Sequence, residues 1–316
     1  MQSFLKFLLL IAAGTAFGQP YPSKPVHLVV AFPPGGPVDI IARLITPRMS
    51  EALGQPIVVE NKTGASGNLA AAQVAKSAAD GYTILAHSSA YAVNASLFAD
   101  PGYDAQKDFI PVAVVASQPN LILVNAEFPA RSLAELLQMA RAQKLAFASP
   151  SSGTTPHLTA ENLFRVRAKV DITHVPFRGA GPAVAALLGG QPPIGSLAGS
   201  APMPHIKSGK LRALAVSSSK RLASLPDVPT LTELGYSDME DYTWVGLFLP
   251  AGTPVGIAQK VNDAVLRSVQ GPDLRERLDA LAFDVTAAPL RETADYVKSE
   301  LVKWAKVVRD TGAKAE

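Results

Sequence analysis

An alternation of two apolar patterns constrains this chain more than any other feature. The run "VHLVVAF" (Val26 to Phe32) is apolar almost without interruption, and Val38, Ile41, Ile45, Met49 and Ala52 then recur at helical spacing. The pair of signals returns: "PIVVEN" precedes an Ala-rich helical stretch near Asn68 to Ser77, and "YTILAH" precedes a helix from about Tyr91. Strands apolar on both faces are covered on both faces, and strands separated by helices pair in parallel. The expected fold is α/β, with mainly parallel sheets flanked by helices.

The alternation breaks at "DFIPVAVVASQPNLILVNA" (Asp108 to Ala126), two strand-like runs in close succession that read as a crossing into a second lobe. There, helix Leu133 to Arg141, strand "LAFAS", a helix from Thr155, strand "ITHVPF", helix Ala180 to Leu188 and strand "LRALAVSS" resume the pattern. "DYTWVGLFLPAGTP" (Asp241 to Pro254) carries the chain back, and the last helix places Val297, Leu301, Trp304 and Val308 on one face before Gly312. A chain of 316 residues, 48% hydrophobic, can bury two such lobes. The expected division is 19–122 with 250–316 as lobe 1 and 123–249 as lobe 2, joined by two crossover strands that act as a hinge.

The N-terminal "MQSFLKFLLLIAAGTAFGQPYPSKP" carries Lys6, an apolar stretch from Phe7 to Ala13, and small residues at Ala16 and Gly18. This is the pattern of an export signal cleaved near Gly18, with 1–18 removed and the mature chain in the periplasm. The apolar stretch is well short of the roughly 20 residues that span a bilayer. With no cysteine, the chain has neither a disulfide framework nor a lipid-modified N-terminal cysteine.

Motifs for chemistry are missing. The sequence lacks H-E-x-x-H, G-x-S-x-G and G-x-x-x-x-G-K-[ST], and "GAGPAV" (Gly179 to Val184) lacks the third glycine of a dinucleotide fingerprint. No cofactor is expected. His27, His87, His157, His174 and His205 have no ligand-like spacing, so no metal is expected either. The 29 Lys and Arg against 26 Asp and Glu leave a net charge of +3 without a basic cluster, which argues against nucleic acid.

What recurs is small and polar residues where strands give way to helices: "FPPGG", "NKTGASGN", "HSSAY", "SPSSGTTPHLTAE" and "VPFRGAGPA". In open α/β sheets ligands bind beyond the carboxyl ends of strands, and bare N–H groups at helix starts suit an anion, phosphate or carboxylate. Each junction alone is ordinary turn and capping chemistry. Asp39 lies four residues before Arg43, which points to a structural ion pair beside the first loop. Arg178 either clamps a carboxylate or makes a surface ion pair, and His157 either contacts ligand or packs its helix. An enzyme of the opposite class would be an exported serine hydrolase using Ser88, Ser89 or Ser152 with His157.

The order and spacing of "YPSKPVHLVVAFPPGGPVDIIAR", "VVENKTGASGNLAAAQVAKSAADGYTIL", "SSGTTPHLTAENLF", "HVPFRGAGPAVAALLGGQ", "LPDVPTLTELGY" and "WVGLFLPAGTP" resemble the Bug proteins, periplasmic receptors of tripartite tricarboxylate transporters, nearly end to end. The resemblance implies a non-catalytic, two-lobed Venus-flytrap receptor, a monomer, that encloses a small carboxylate and delivers it to the membrane permease subunits; a receptor reporting to a membrane sensor is the alternative. Carried over, Phe32, Pro34, Gly35, Gly36, Ala65, Ser66, Ser88 and Ser89 form the first wall. Ser152, Thr154, Thr155, His157, Phe177, Arg178 and Gly179 form the second. Members commonly carry an aspartate after "GGQ", where this chain has Ser196 and Leu197. That departure implies a ligand without an ammonium group; room beside "GSLAGS" and the aromatic Phe32, Tyr91 and Phe177 favour a flat acid, such as an aromatic mono- or dicarboxylate.

Overall fold

The computed structural model describes residues 21–315; the expected signal segment lies outside the described residues. β1 (Val26–Val30), β2 (Ile57–Asn61) and β3 (Thr83–Ser88) pair in parallel in the order β2-β1-β3. α1 (Pro37–Leu53) and α2 (Asn68–Ala75) connect them, and α3 (Ala90–Leu97) follows β3. Val38, Ile41, Ile45, Met49 and Leu53 form the buried stripe of α1, which ends at Gly54 with φ +72°, a left-handed cap that costs glycine nothing.

β4 (Phe109–Asn125) is a single strand of 17 residues where the sequence reads as two runs. Pro111 and Pro119 punctuate that sequence, but the strand passes through: Pro111 borders a register shift, where a missing N–H is tolerated, and Pro119 is the last residue of β4 to pair with β9. Its first part pairs antiparallel with β9 (Tyr242–Pro250) and with β10 (Asp284–Val285). Its last part, Asn120 to Asn125, pairs antiparallel with β7 (Ile194–Ala198) and β8 (Leu211–Val216). β4 thus joins the two lobes.

The sequence places residues 242–249 in lobe 2, but Leu85 to Ser88 of β3 pair with Val245 to Phe248, which sets β9 in the first sheet. Buried on both faces, β9 suits that central position between β3 and β4. The return crossing is the connection between β8 and β9 and ends before Tyr242.

In the second lobe β7, β5 (Leu145–Ser149) and β6 (Ile172–Pro176) pair in parallel in that order. α4 (Leu133–Ala142), α5 (Thr155–Glu161), α6 (Ala180–Leu188) and α7 (Met203–Lys207) belong to this lobe. α8 (Val255–Ser268), α9 (Pro272–Ala280) and α10 (Leu290–Thr311) complete the first. Each sheet buries both faces: Leu28 packs with Ile41, Ile45 and Val261, whereas its neighbour Val29 packs with Leu85, Tyr91 and Trp304. Glu300 of α10 accepts the indole N–H of Trp244 at 2.8 Å and of Trp304 at 2.9 Å, which satisfies both buried rings and ties α10 to β9.

Candidate functional site

The carboxyl ends of β1, β2 and β3 face those of β5 and β6 across one crevice, and the loops that leave them touch. Ser66 Oγ lies 2.6 Å from Ser151 Oγ and donates to the Ser152 carbonyl. Ser89 Oγ lies 2.9 Å from Thr155 Oγ1. A methyl group on Gly179 would stand 3.0 Å from Cγ of Pro33 in the opposite lobe. The loops thus close the crevice over, leaving an inner cavity of about 40 Å³ and an outer one of about 430 Å³ that share Phe32, Pro33, Pro150 and Gly179 on their walls.

Hidden polar side chains hold the loops. Buried Asp39 accepts the Gly35 N–H at 3.0 Å, Arg43 Nε at 2.9 Å and Asn61 Nδ2 at 2.9 Å; that Asn61 amide also donates to the Phe32 carbonyl at 2.9 Å. Burial alone would raise the Asp39 pKa, but these hydrogen bonds hold it below the usual carboxylate value. Asp39 and Arg43 thus bond to each other and, through Gly35 and Asn61, to the first loop. Beyond β2, Gly64, Ala65, Ser66 and Gly67 run through successive positive φ angles, and Asn94 Nδ2 steadies this turn by donating to the Ser66 carbonyl at 3.0 Å. A Cβ on Gly67 would collide with Nε2 of His87. Burial lowers the His87 pKa to about 4, so the ring is neutral, and its Nδ1–H donates to the Ser88 carbonyl at 3.0 Å.

Most sequence-derived candidates meet here. Phe32, Ala65, Ser66, Phe177, Arg178 and Gly179 line the outer cavity, and Phe32, Gly36, Ser88, Thr154, Thr155 and Gly179 line the inner one. Others do not line either. Pro34 and Gly35 are exposed, with the Gly35 N–H taken by Asp39. Ser89 lies buried beneath Thr155, and Ser152 contributes its carbonyl to Ser66. His157 turns away from the cleft: its Nδ1 accepts the Gly153 N–H at 3.2 Å and its ring stacks on His174 at 3.9 Å between centroids. Two residues past Thr155 is roughly 200° around a helix, which points it into the lobe. Burial first, then the neighbouring His174 and Arg165, lowers the His157 pKa to about 3. Neither Ser88, Ser89 nor Ser152 is hydrogen-bonded to it, so the serine-hydrolase constellation is not assembled.

Two supports for an aromatic ligand also move. Tyr91 is core, its hydroxyl donating to the Ala105 carbonyl at 2.6 Å and its ring stacked on Phe248 at 4.3 Å. Leu197 packs with Leu121, Leu123 and Leu187, because alternate residues of β7 face opposite sides and it is Ala198 that reaches the inner cavity. The sequence reading missed Pro33, Pro150 and Thr243, which line the cavities, and Asn61, which holds the first loop. Thr243, the one aliphatic hydroxyl in the run "YTWVGLFLP", carried a readable signal.

No Asp or Glu is among the residues that line either cavity, and the exposed Arg178 stands at the outer one. α1 starts beside Gly36 and α6 beside Gly179, from opposite lobes, and neither N-terminus has a side-chain cap. Two helix starts without side-chain caps and a guanidinium are groups that suit an anion, although the first turn of α1 already carries Asp39. Among the described residues no group of three or more His, Cys, Asp or Glu could hold a metal, and no helix is long and apolar enough to cross a membrane.

The model of the tripartite tricarboxylate transporter family receptor matches residues 41–313. Protein BugT of Bordetella pertussis is 38% identical over 298 residues, covering 93% of this chain and 91% of that protein. MatC from Rhodopseudomonas palustris with bound malate is similar in structure, with 37% identity, a TM-score of 0.86, and coverage of 91% of this chain and 100% of that one. A second Rhodopseudomonas palustris protein, solved with adipate, shows 33% identity, a TM-score of 0.89, and coverage of 94% and 100%.

Proposed function

Since the chain belongs to the tripartite tricarboxylate transporter receptor family, a family of solute-binding receptors rather than enzymes, we propose that it works in the periplasm as a monomer, closes on a small carboxylate and presents it to permease subunits. The observation that carries this reading is the closed crevice, where uncapped starts of α1 and α6 from opposite lobes meet at one cavity with Arg178 beside its outer neighbour. An ionised carboxylate only accepts hydrogen bonds, so bare N–H groups and a guanidinium suit it. The bound malate and adipate of the two similar proteins support the ligand class.

The absence of Asp and Glu from both cavity walls favours an acid without an ammonium group, which would otherwise be desolvated without a counter-charge. Phe32 and Phe177, the two aromatic side chains that line the cavities, leave a flat acid as a candidate. The test is calorimetry against succinate, malate, adipate, benzoate, aspartate and glutamate, with small-angle scattering of the free and loaded protein. Binding of an acid with a smaller radius of gyration is expected. Tightest binding of aspartate or glutamate would refute the reading of the site's charge, and identical scattering profiles would refute the clamp.

A further inference from the structure

A chain of hydrogen bonds runs from the outer face of the first lobe to the floor of the cleft. Lys303 Nζ of α10 pairs with Asp241 Oδ1 at 3.0 Å, and Asp241 is buried. Thr159 Oγ1 lies 3.2 Å from Asp241 Oδ2 and 2.9 Å from Asn120 Nδ2. Asn120 Oδ1 lies 2.7 Å from Thr243 Oγ1, Thr243 Oγ1 lies 2.7 Å from Thr155 Oγ1, and Thr155 Oγ1 lies 2.9 Å from Ser89 Oγ. Every member from Ser89 to Asp241 is buried. The chain links both lobes to β4 and β9, the strands on which they meet.

Its proton order follows from one end. A carboxylate paired with an ammonium only accepts, so Thr159 gives its single hydroxyl proton to Asp241. Thr159 Oγ1 must then accept from Asn120, which fixes the amide with Nδ2 toward Thr159 and Oδ1 toward Thr243. Thr243 consequently donates to Asn120, Thr155 to Thr243, and Ser89 to Thr155. Every proton points at Asp241. Thr155 and Thr243 line the inner cavity, and with their protons spent along the chain their hydroxyls can offer a ligand there a lone pair but no proton. Thr154, on the same wall, spends its proton on the Ser151 carbonyl at 2.8 Å.

We infer that Asp241, acting through Thr159 and Asn120, holds Thr155 and Thr243 as hydrogen-bond acceptors and so selects ligands that bear a hydroxyl beside the carboxylate. This rests on the carboxylate reading above. The carboxylate sits at the starts of α1 and α6, and the adjacent hydroxyl donates to the lone pair of Thr155 or Thr243. Thr155 already accepts from Ser89 and Thr243 from Thr155, so an acid without that hydroxyl forgoes one hydrogen bond to a second lone pair, which only a trapped water in the cavity of about 40 Å³ could replace. Asp241, Thr159 and Asn120 are positioning residues in this scheme.

The test is calorimetry of the full mature chain against three pairs that differ by one hydroxyl: malate and succinate, 2-hydroxyadipate and adipate, mandelate and phenylacetate. In any pair that binds, the hydroxy acid is expected to be about tenfold tighter, the worth of one hydrogen bond. Thr159→Val, close in shape, cuts the chain between Asp241 and Asn120 and frees the amide to turn; it should lower that ratio at least threefold, while Thr159→Ser keeps it. Equal affinities within every binding pair overturn the inference and leave the carboxylate reading intact, as does an unchanged ratio in folded Thr159→Val. Failure of all six acids to bind overturns both. If Thr159→Val does not fold, the wild-type ratio decides.

Discussion

Gly179→Ala should damage the clamp in two separable ways. Gly179 has φ +114° and ψ 174°, a region open in practice to glycine alone, so an alanine there strains the native backbone by about 1–3 kcal/mol whether the lobes are open or closed. Its methyl would also meet Pro33 Cγ at 3.0 Å and Cδ at 3.4 Å. A proline ring cannot swing aside, and Pro33 belongs to the other wall, so this crowding exists only in the closed form. At the lower end of overpacking costs, about 1–2 kcal/mol, closure and hence affinity should fall roughly 5- to 30-fold. The strain should lower the melting temperature of the free protein by about 2–4 °C for each kcal/mol. The assay is differential scanning calorimetry without ligand, then titration with the tightest-binding acid. Gly181→Ala is the control, because a methyl at Gly181 meets nothing within 4 Å. An unchanged melting temperature in Gly179→Ala refutes the strain argument. A lowered one with unchanged affinity refutes the claim that the Gly179 contact with Pro33 forms on ligand closure.

Asp39→Ala frees the first loop and leaves Asn61 and the Gly35 N–H without their acceptor, so urea unfolding should show a loss of about 2–3 kcal/mol, discounted for the half-exposed Arg43; no change would mean the three contacts carry nothing. Because the folded Asp39 pKa is lowered, this contribution is present above the ordinary carboxylate value and is lost as pH falls below it, so wild type and Asp39→Ala should converge in acid. Burial lowers His87 and His174 to about 4 and His157 to about 3, so the unfolded chain takes up protons first, and stability should fall as pH drops from 6.5 toward 4, by up to about 1.4 kcal/mol per unit for each ring. Thermal melts from pH 7.5 to 5 check this, and a flat profile contradicts it. Arg178→Ala should weaken carboxylate binding tenfold or more, from the loss of a charge-assisted hydrogen bond of about 1.5–3 kcal/mol, without moving the melting temperature, since the side chain is exposed; equal calorimetric affinity would make it a bystander.

Local pattern sets the elements and the strand ends at which small and polar residues gather. Apolar runs such as Val26 to Phe32, broken only by His27, leave almost no polar face, so parallel sheets covered on both sides follow from local pattern, and glycine- and serine-rich junctions mark strand ends wherever they fall. Loop residues such as Phe32, Ser66, Thr155 and Gly179 line the two cavities. Which hydroxyls are spent depends on contacts between distant segments. Ser89 and Thr155 look alike in sequence, yet one lies beneath the other, and the partners that set their protons are 66 to 123 positions apart along the chain. The fold also places β9 between β3 and β4, where strand pairing rather than chain order sets the lobe. His157 shows the same divide: its helix was legible, but the direction of its ring depended on the 200° turn from Thr155 and on His174 arriving from β6 to stack on it. Periodicity is a property of neighbours in sequence, whereas the last acceptor in a buried hydrogen-bond chain is set by whatever the fold brings to its far end, here Asp241 and Lys303.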